Sequence, residues 1–411
     1  MTNDDDIRAG AEALGVPYRE TIGSETFDAS LIAALPVTWA RERAVLPVRA
    51  ADGVAELLMP GPEGLPALQH ATLAAGCFSR DANTNAATGK SLGIDPSRVY
   101  PSWRELVDGE RGKVDFIAIC TPNSSHFEIA KAALAAGFDL ICEKPVAASA
   151  AEAEELLALA KANGRIIAVP FTYTGYPLVK LARELVAAGE IGKVCKVVAE
   201  YQQGSFRKLA SDSARRVAWK MDPVLSGPSC VVADIGVHAF EIVEYVTGLE
   251  VRSVLADLSS FVHSAGLDDD ASILARLEGS AKASMTVSKI AAGEENGLRL
   301  RVYGEKASLS WNQEDPNSLV VRFPSGPDKV YHRRAPYVAA LSPLADAASR
   351  TPAGHGEGFI EAFANIYKSF CGAVKSRRGG DFPGIAEGAR AMRFVEAVLE
   401  SSRNGCAWTD V

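Results

Sequence analysis

The sequence predicts an α/β chain: a doubly wound parallel sheet followed by an α+β domain with a large, open, mostly antiparallel sheet. Three observations carry this. Val114 to Cys120 and Phe138 to Cys142 are short apolar runs on either side of one amphipathic helical stretch, the pattern of a right-handed βαβ unit with buried parallel strands. Beyond Val194, long alternating segments at 252–263, 270–277, 281–290, 297–303 and 317–323 suit a sheet with one face open. At 411 residues the chain exceeds one ordinary core, so two or three domains are predicted.

The central unit organises the rest. Its first strand ends at Thr121-Pro122-Asn123, a turn signal. From Ser125 the period changes, and Phe127, Ile129, Ala130, Ala133 and Leu134 line one helical face that Gly137 closes. The second strand stops at Glu143-Lys144-Pro145. Both polar tripeptides stand at carboxyl ends of parallel strands, where open α/β sheets take their ligands.

Before this unit, Ile7 to Leu14 and Leu31 to Ala40 suit short helices, the second broken by Pro36. Ala44 to Val48 and Val54 to Met59 suit two short strands joined by a turn at Ala50 to Gly53. The stretch from Phe27 to Gln69, with its Leu-Pro helix and following hairpin, resembles the N-terminal domain of type II secretion and pilus-assembly ATPases. The Walker A loop of those ATPases is absent, which excludes that activity. From Ala71 the texture changes. Thr72 to Phe78 reads as a strand, Asn83 to Leu92 as a helix capped by Gly93, and Tyr100 to Leu106 as a turn leading into a helix.

After Pro145, Ser149 and Glu152 mark the start of a helix running to Ala162. Arg165 to Phe171 reads as a strand and Tyr176 to Gly189 as an amphipathic helix. The alternating strands begin at Val194 to Gln202, a helix at Val231 to Thr247 interrupts them, and helices at Phe359 to Lys375 and Ile385 to Ser402 close the chain. The predicted domains are 1–68, a small α+β segment of different origin; 69–190; and 191–411.

Hydrophobic content of 47% and charged content of 23% are those of a soluble globular protein. A net charge of −8 with scattered Lys and Arg argues against a nucleic-acid partner. The acidic start Met1 to Asp6 is no signal peptide, and no apolar run reaches the length of a membrane span. Seven cysteines without CxxC spacing read as reduced residues of a cytoplasmic protein, and six histidines without an HExxH pattern predict no metal site.

Several motifs recur together: Thr121-Pro122-Asn123 with His126, Glu143-Lys144-Pro145, Phe171 to Tyr176, and Asp234-Ile235-Gly236-Val237-His238. In this order and spacing, residues 71–411 resemble the glucose-fructose oxidoreductase / inositol dehydrogenase / MocA (Gfo/Idh/MocA) family. The resemblance implies an NAD- or NADP-dependent oxidoreductase acting on a sugar or cyclitol alcohol. It also implies a Rossmann-type domain joined to a sheet domain that shapes the substrate pocket and serves as a homo-oligomer interface.

Oxidising a secondary alcohol needs a base for the hydroxyl proton while a hydride departs. Lys144, at a strand end before Pro145, suits that task; the plainer reading is a surface lysine. Asp234 and His238, four apart on one helix, suit an imidazole base oriented by a carboxylate; the plainer reading is an ordinary helix pair. The predicted catalytic residues are therefore Lys144, Asp234 and His238. Thr121, Pro122, Asn123, His126, Glu143, Lys144 and Pro145 would flank the cofactor, as would Ser79 and Arg80. Arg80 stands where an acidic residue would bind the ribose of NAD, so it permits NADP; it also reads as a solvated turn residue. Tyr173 and Tyr176 resemble substrate positions, or serve as core aromatics at a domain junction. Trp219, Lys220 and Asp222 would join His238 on the substrate side.

One departure stands out. The family opens with a strand, a glycine-rich turn and a helix that grip the pyrophosphate. Residues before Thr72 contain no such unit, so the first βα unit is missing or replaced. Val54 to Met59 is the one nearby candidate for the vacant strand, followed by Pro60-Gly61-Pro62-Glu63-Gly64 in place of the glycine loop. Two prolines withhold amide donors and Glu63 repels phosphate, which predicts weak cofactor binding. The alternative function is a catalytically impaired binding or scaffold protein.

Overall fold

A computed structural model describes residues 46–51, 54–58, 73–208, 222–262 and 267–411. The helices expected at Ile7 to Leu14 and Leu31 to Ala40 lie outside the described residues. The chain divides into two units, Met1–Glu110 with Arg350–Gly356, and Arg111–Ser349 with Glu357–Val411.

In the first unit, β1 (Leu46–Ala51) and β2 (Val54–Leu58) form an antiparallel hairpin, with Leu46 opposite Leu58 and Ala51 opposite Val54. Val54–Leu58 therefore pairs locally, as the two strands joined by a turn predict, rather than filling a slot in a parallel sheet. A close turn lets the two strands meet without the loop-closure cost of a crossover. Helix α1 (Ala82–Ser91) starts at Asp81, whose carboxylate accepts the Thr84 amide at 2.8 Å. Helix α2 (Trp103–Gly109) follows, capped by Ser102. The strand expected at Thr72 to Phe78 contracts to a single parallel bridge between Gly76 and Val99. The reason is visible in its hydrogen bonds. The buried Asn85 side chain takes the Phe78 amide at 2.7 Å and donates to the Tyr100 carbonyl at 2.8 Å, so a side chain does what a ladder would.

In the second unit, β3 (Phe116–Ile119), β4 (Asp139–Cys142) and β5 (Ile167–Ala168) form a parallel sheet in the order β3-β4-β5, with Ile119 level with Cys142. Helix α3 (His126–Ala135) crosses from β3 to β4 and buries Ile129, Ala130, Ala133 and Leu134. Its exit turn places Gly137 at φ +91°, a conformation glycine adopts without strain. Helix α4 (Ala150–Ala162) is capped by Ser149 as the sequence predicts, and α5 (Pro177–Ala187) follows β5. The strand expected at Arg165 to Phe171 is only two residues long, because the amide of Val169 already bonds to the carbonyl of Pro383.

The larger sheet has nine strands in the order β13-β12-β11-β10-β6-β9-β8-β7-β14. In chain order these are β6 (Val194–Gln202), β7 (Val251–Ser259), β8 (Asp270–Leu277), β9 (Lys282–Ser288), β10 (Gly297–Gly304), β11 (Ser308–Asn312), β12 (Asp315–Arg322), β13 (Lys329–His332) and β14 (Thr409–Asp410). Only β6 and β9 pair in parallel. Burial alternates along β8, with Ala271, Ile273, Ala275 and Leu277 inside while Leu274 stays 50% exposed. This is the one-sided sheet that the alternation predicts. β11, β13 and β14 escape sequence reading because they are short.

α7 (Val237–Thr247) packs on β6, β9 and β10, and α11 (Ile385–Arg403) on β7; α6 (Pro223–Ser226) meets the turn after β3, α8 (Pro336–Leu341) and α9 (Pro343–Ala348) pack on α5, and Phe370 of α10 (Phe359–Ser376) packs on Ile141 and Ala168 of the small sheet. Phe240 of α7 stacks on Phe394 of α11 with ring centroids 4.5 Å apart, both fully buried. Truncating either ring would cost about 3–5 kcal/mol. Among the described residues, no helix is long and apolar enough to cross a membrane.

Candidate active site

The two polar tripeptides do end their strands, and one histidine fixes them to each other. His126, on the first turn of α3, is buried, with Nε2 2.7 Å from the Thr121 carbonyl and Nδ1 2.8 Å from the Pro145 carbonyl. Burial holds its imidazole below the usual range, although both carbonyls pull the other way. Asn123 reaches further, donating its side-chain amide to the Ser226 carbonyl at 3.1 Å. His126 thus braces the loops while Asn123 ties them to α6.

Lys144 leaves the end of β4 and its ammonium donates to the Asp234 carboxylate at 2.8 Å and to the Asp234 carbonyl at 2.6 Å. Asp234 belongs to a π-helical segment, Val232–Gly236, that leads directly into α7, so the single helix expected at Val231 to Thr247 begins with a wider turn. Such turns re-aim side chains and recur at functional sites. The other Asp234 oxygen accepts from Lys289, one residue beyond β9. One carboxylate therefore joins two ammonium groups from separate elements.

His238 opens α7, buried, and its ring meets Tyr173 edge-on at 4.9 Å and Phe171 at 5.9 Å. Tyr173 stacks parallel to Tyr176 at 6.2 Å, and Tyr176 packs on Trp311 at 5.2 Å. The Tyr173 turn docks tightly on α10: a Cβ at Gly175 would lie 2.1 Å from the Ala362 carbonyl, and Asn365 donates to the Gly175 carbonyl at 3.0 Å. Only glycine permits that approach. The phenols of Tyr173 and Tyr201 hydrogen-bond each other, Tyr201 donates to Asn296 Oδ1 at 2.7 Å, and Asn296 Nδ2 donates back to Tyr173 at 3.3 Å. Each group in this closed ring both gives and receives. Burial pushes both phenols above their usual range.

The remaining predicted residues fall as follows. Asp222 caps α6, accepting the Val224 amide at 2.9 Å. Ser79 accepts the Asp81 amide at 3.1 Å in the first unit, and Arg80 beside it is exposed. Trp219 and Lys220 lie outside the described residues. Just before α10, the buried Glu357 pairs with the buried Arg333 at 3.0 Å.

Sequence reasoning missed Lys289, Tyr201 and Asn296. For the first two the signal was present. Ala283, Met285 and Val287 face inward on β9, and Lys289 continues that parity; Val197 and Ala199 do the same for Tyr201. A charged residue at an inward register position is a candidate for buried pairing. Nothing local marks Asn296.

Comparison with known proteins decides the relationship. A profile described as the NAD-binding Rossmann fold of an oxidoreductase family matches residues 60–171, and the GFO/IDH/MocA C-terminal domain matches residues 179–310. An uncharacterized oxidoreductase of Bacillus subtilis is 33% identical over 355 residues, 82% of this chain and 89% of that protein. The chain belongs to the Gfo/Idh/MocA family. The Gfo/Idh/MocA chain is an oxidoreductase with an NAD-binding Rossmann fold. An inositol dehydrogenase homolog from Azotobacter vinelandii, solved with NAD+, superposes with a TM-score of 0.80 at 33% identity, covering 86% of this chain and 95% of that one. The same homolog solved with NADH and myo-inositol superposes at 0.76 and 32% identity, with the same coverage of 86% and 95%. Levoglucosan dehydrogenase of Pseudarthrobacter phenanthrenivorans is 26% identical over 335 residues, 75% of this chain and 82% of that protein. The matched segment 60–171 of this Gfo/Idh/MocA member contains no Gly-x-Gly.

Proposed function

We propose that this chain oxidises a secondary alcohol of a sugar or cyclitol with NAD or NADP, Lys144 and His238 managing the hydroxyl proton. The observation that carries the reading is the Lys144–Asp234 pair at the carboxyl end of β4, on the segment that leads into His238. The donor set fits the nicotinamide half of the cofactor. Thr121 to Asn123 and Glu143 to Pro145 line the ends of two parallel strands, braced by His126, so their polar groups are set before a ligand arrives. The bound cofactor supplies the hydride acceptor. Lys144, oriented by Asp234, would hold the reacting hydroxyl by a charge-assisted hydrogen bond, and His238 would take its proton. Tyr173, against the imidazole, would shield it from water. The open outer face of the nine-stranded sheet would serve homo-oligomer formation.

A second reading is favoured by the missing Gly-x-Gly: a family member that binds a polyol without turning it over. NADH and NADPH titrations, followed by NAD(P)-reduction assays on a polyol panel including myo-inositol and levoglucosan, separate the two. Reduction with any member supports the dehydrogenase. Cofactor or polyol binding with no reduction across the panel supports the binding protein.

A further inference from the structure

We infer that Lys289 is a positioning residue for the reaction, acting on Lys144 through the Asp234 carboxylate; the inference rests on the dehydrogenase reading above. Its ammonium is almost sealed from water, with 3% of the side chain exposed, against 20% for Asp234 and 14% for Lys144. A buried ammonium is costly unless it is paired, so this one is held to its anion. The rest of the residue is anchored independently. The Lys289 amide donates to the Asp269 carbonyl at 2.9 Å and its carbonyl accepts from Phe206 at 3.0 Å. The Phe206 ring lies beneath the ammonium, 5.0 Å from it.

The geometry divides the carboxylate between its partners, Oδ1 to Lys144 and Oδ2 to Lys289. Rotation about Cβ–Cγ would break both bonds, so Asp234 is clamped from the sheet side while it orients Lys144 on the cofactor side. Lys289 itself is enclosed and already engaged, so it acts through Asp234 and touches no substrate.

The test compares full-length wild type with Lys289→Met, Lys289→Arg, Asp234→Asn and the Lys289→Met/Asp234→Asn double variant. Circular dichroism and melting confirm that each is folded. On whichever polyol the wild type oxidises, Lys289→Met should lower kcat roughly a hundredfold, the effect of a misplacement of about 1 Å, with KM changed less than about threefold. Lys289→Arg should restore at least a tenth of the activity, and in the Asp234→Asn background Lys289→Met should add less than about a twofold loss. A second readout needs no substrate: the rate of reductive methylation of Lys144, followed by peptide mass spectrometry. It should differ at least about threefold between wild type and Lys289→Met, and be equal in Asp234→Asn with and without the Lys289 change. Unaltered Lys144 labelling in a folded Lys289→Met, or additive effects of the two substitutions, overturns the inference. A wild type inactive on every polyol would sink the dehydrogenase reading alone, and the labelling arm would still decide the role of Lys289. If Lys289→Met does not fold, the comparison of Lys289→Arg with wild type decides: unchanged labelling and a KM-only effect reject the inference.

Discussion

Asn123 donates its side-chain amide to the backbone carbonyl of Ser226, 103 residues further along the chain, at 3.1 Å, with both residues buried. The bond joins the turn after β3 to the segment that leads towards Asp234. Substituting Asn123→Ala would leave that buried carbonyl unpaired, a cost of about 1–3 kcal/mol. A lowered melting temperature and a weaker NADH affinity are the expected outcomes. A variant that melts and binds like wild type would show that the bond carries nothing.

Lys144→Ala and His238→Ala should each reduce turnover by at least about a hundredfold, the usual worth of a positioned acid–base group. Melting should change little for Lys144→Ala, because Asp234 keeps Lys289 as its partner. Steady-state kinetics on a substrate that the wild type oxidises checks both. Near-normal turnover by His238→Ala would remove it from the proton path.

Cofactor affinity should be poor. Residues 60–171 contain no Gly-x-Gly, the turn that brings backbone amides onto a pyrophosphate. Isothermal titration should give dissociation constants in the tens of micromolar or weaker for NADH and NADPH, at most about 7 kcal/mol of binding. A sub-micromolar constant for either cofactor contradicts this.

Stability should decline towards alkaline pH through Glu241. Burial raises its carboxyl well above the ordinary value of 4.5, Glu387 and Glu244 push the same way, and Arg390 opposes them. A carboxyl that holds its proton more tightly when folded contributes stability below its unfolded value, and that stability is lost as pH rises through the folded value. Glu241→Gln imitates the protonated acid, so its melting temperature should fall less than that of wild type between about pH 5 and pH 9. Parallel melting curves for the two proteins would rule Glu241 out.

The outer face of the nine-stranded sheet should mediate self-association. Leu274 and Tyr303, 50% and 38% exposed, stand on β8 and β10 among charged neighbours such as Arg301 and Glu200, which pair across β10 and β6 at 2.5 Å. Light scattering at about micromolar concentration, the range in which stable oligomers persist, should show an oligomer that Leu274→Glu weakens. A monomeric wild type refutes the interface.

Local pattern alone placed a large part of this protein. The run from Val114 to Cys142 switches from a strand period to a helical one and back, and its two polar ends carry the candidate residues Thr121 to Asn123 and Glu143 to Pro145. Helix caps at Ser149 and Gly137 were legible for the same reason, since each depends on a few adjacent residues. Alternation along β8 declared both the strand and its exposed face. What tertiary structure decided was partnership. Val54 to Leu58 pairs with the strand that ends at Ala51, the hairpin the sequence offered, rather than with a distant slot, because loop closure favours the nearer strand. Thr72 to Phe78 lost its ladder to the Asn85 side chain, a choice that no periodicity encodes. Lys289 lies 55 residues from Asp234, and Asn296 lies 123 residues from Tyr173. Hydrogen bonds and ion pairs across such separations exist only once the sheet registers are set, so the sequence could nominate Lys144, Asp234 and His238 as candidates but could not pair Lys289 with Asp234 or Asn296 with Tyr173.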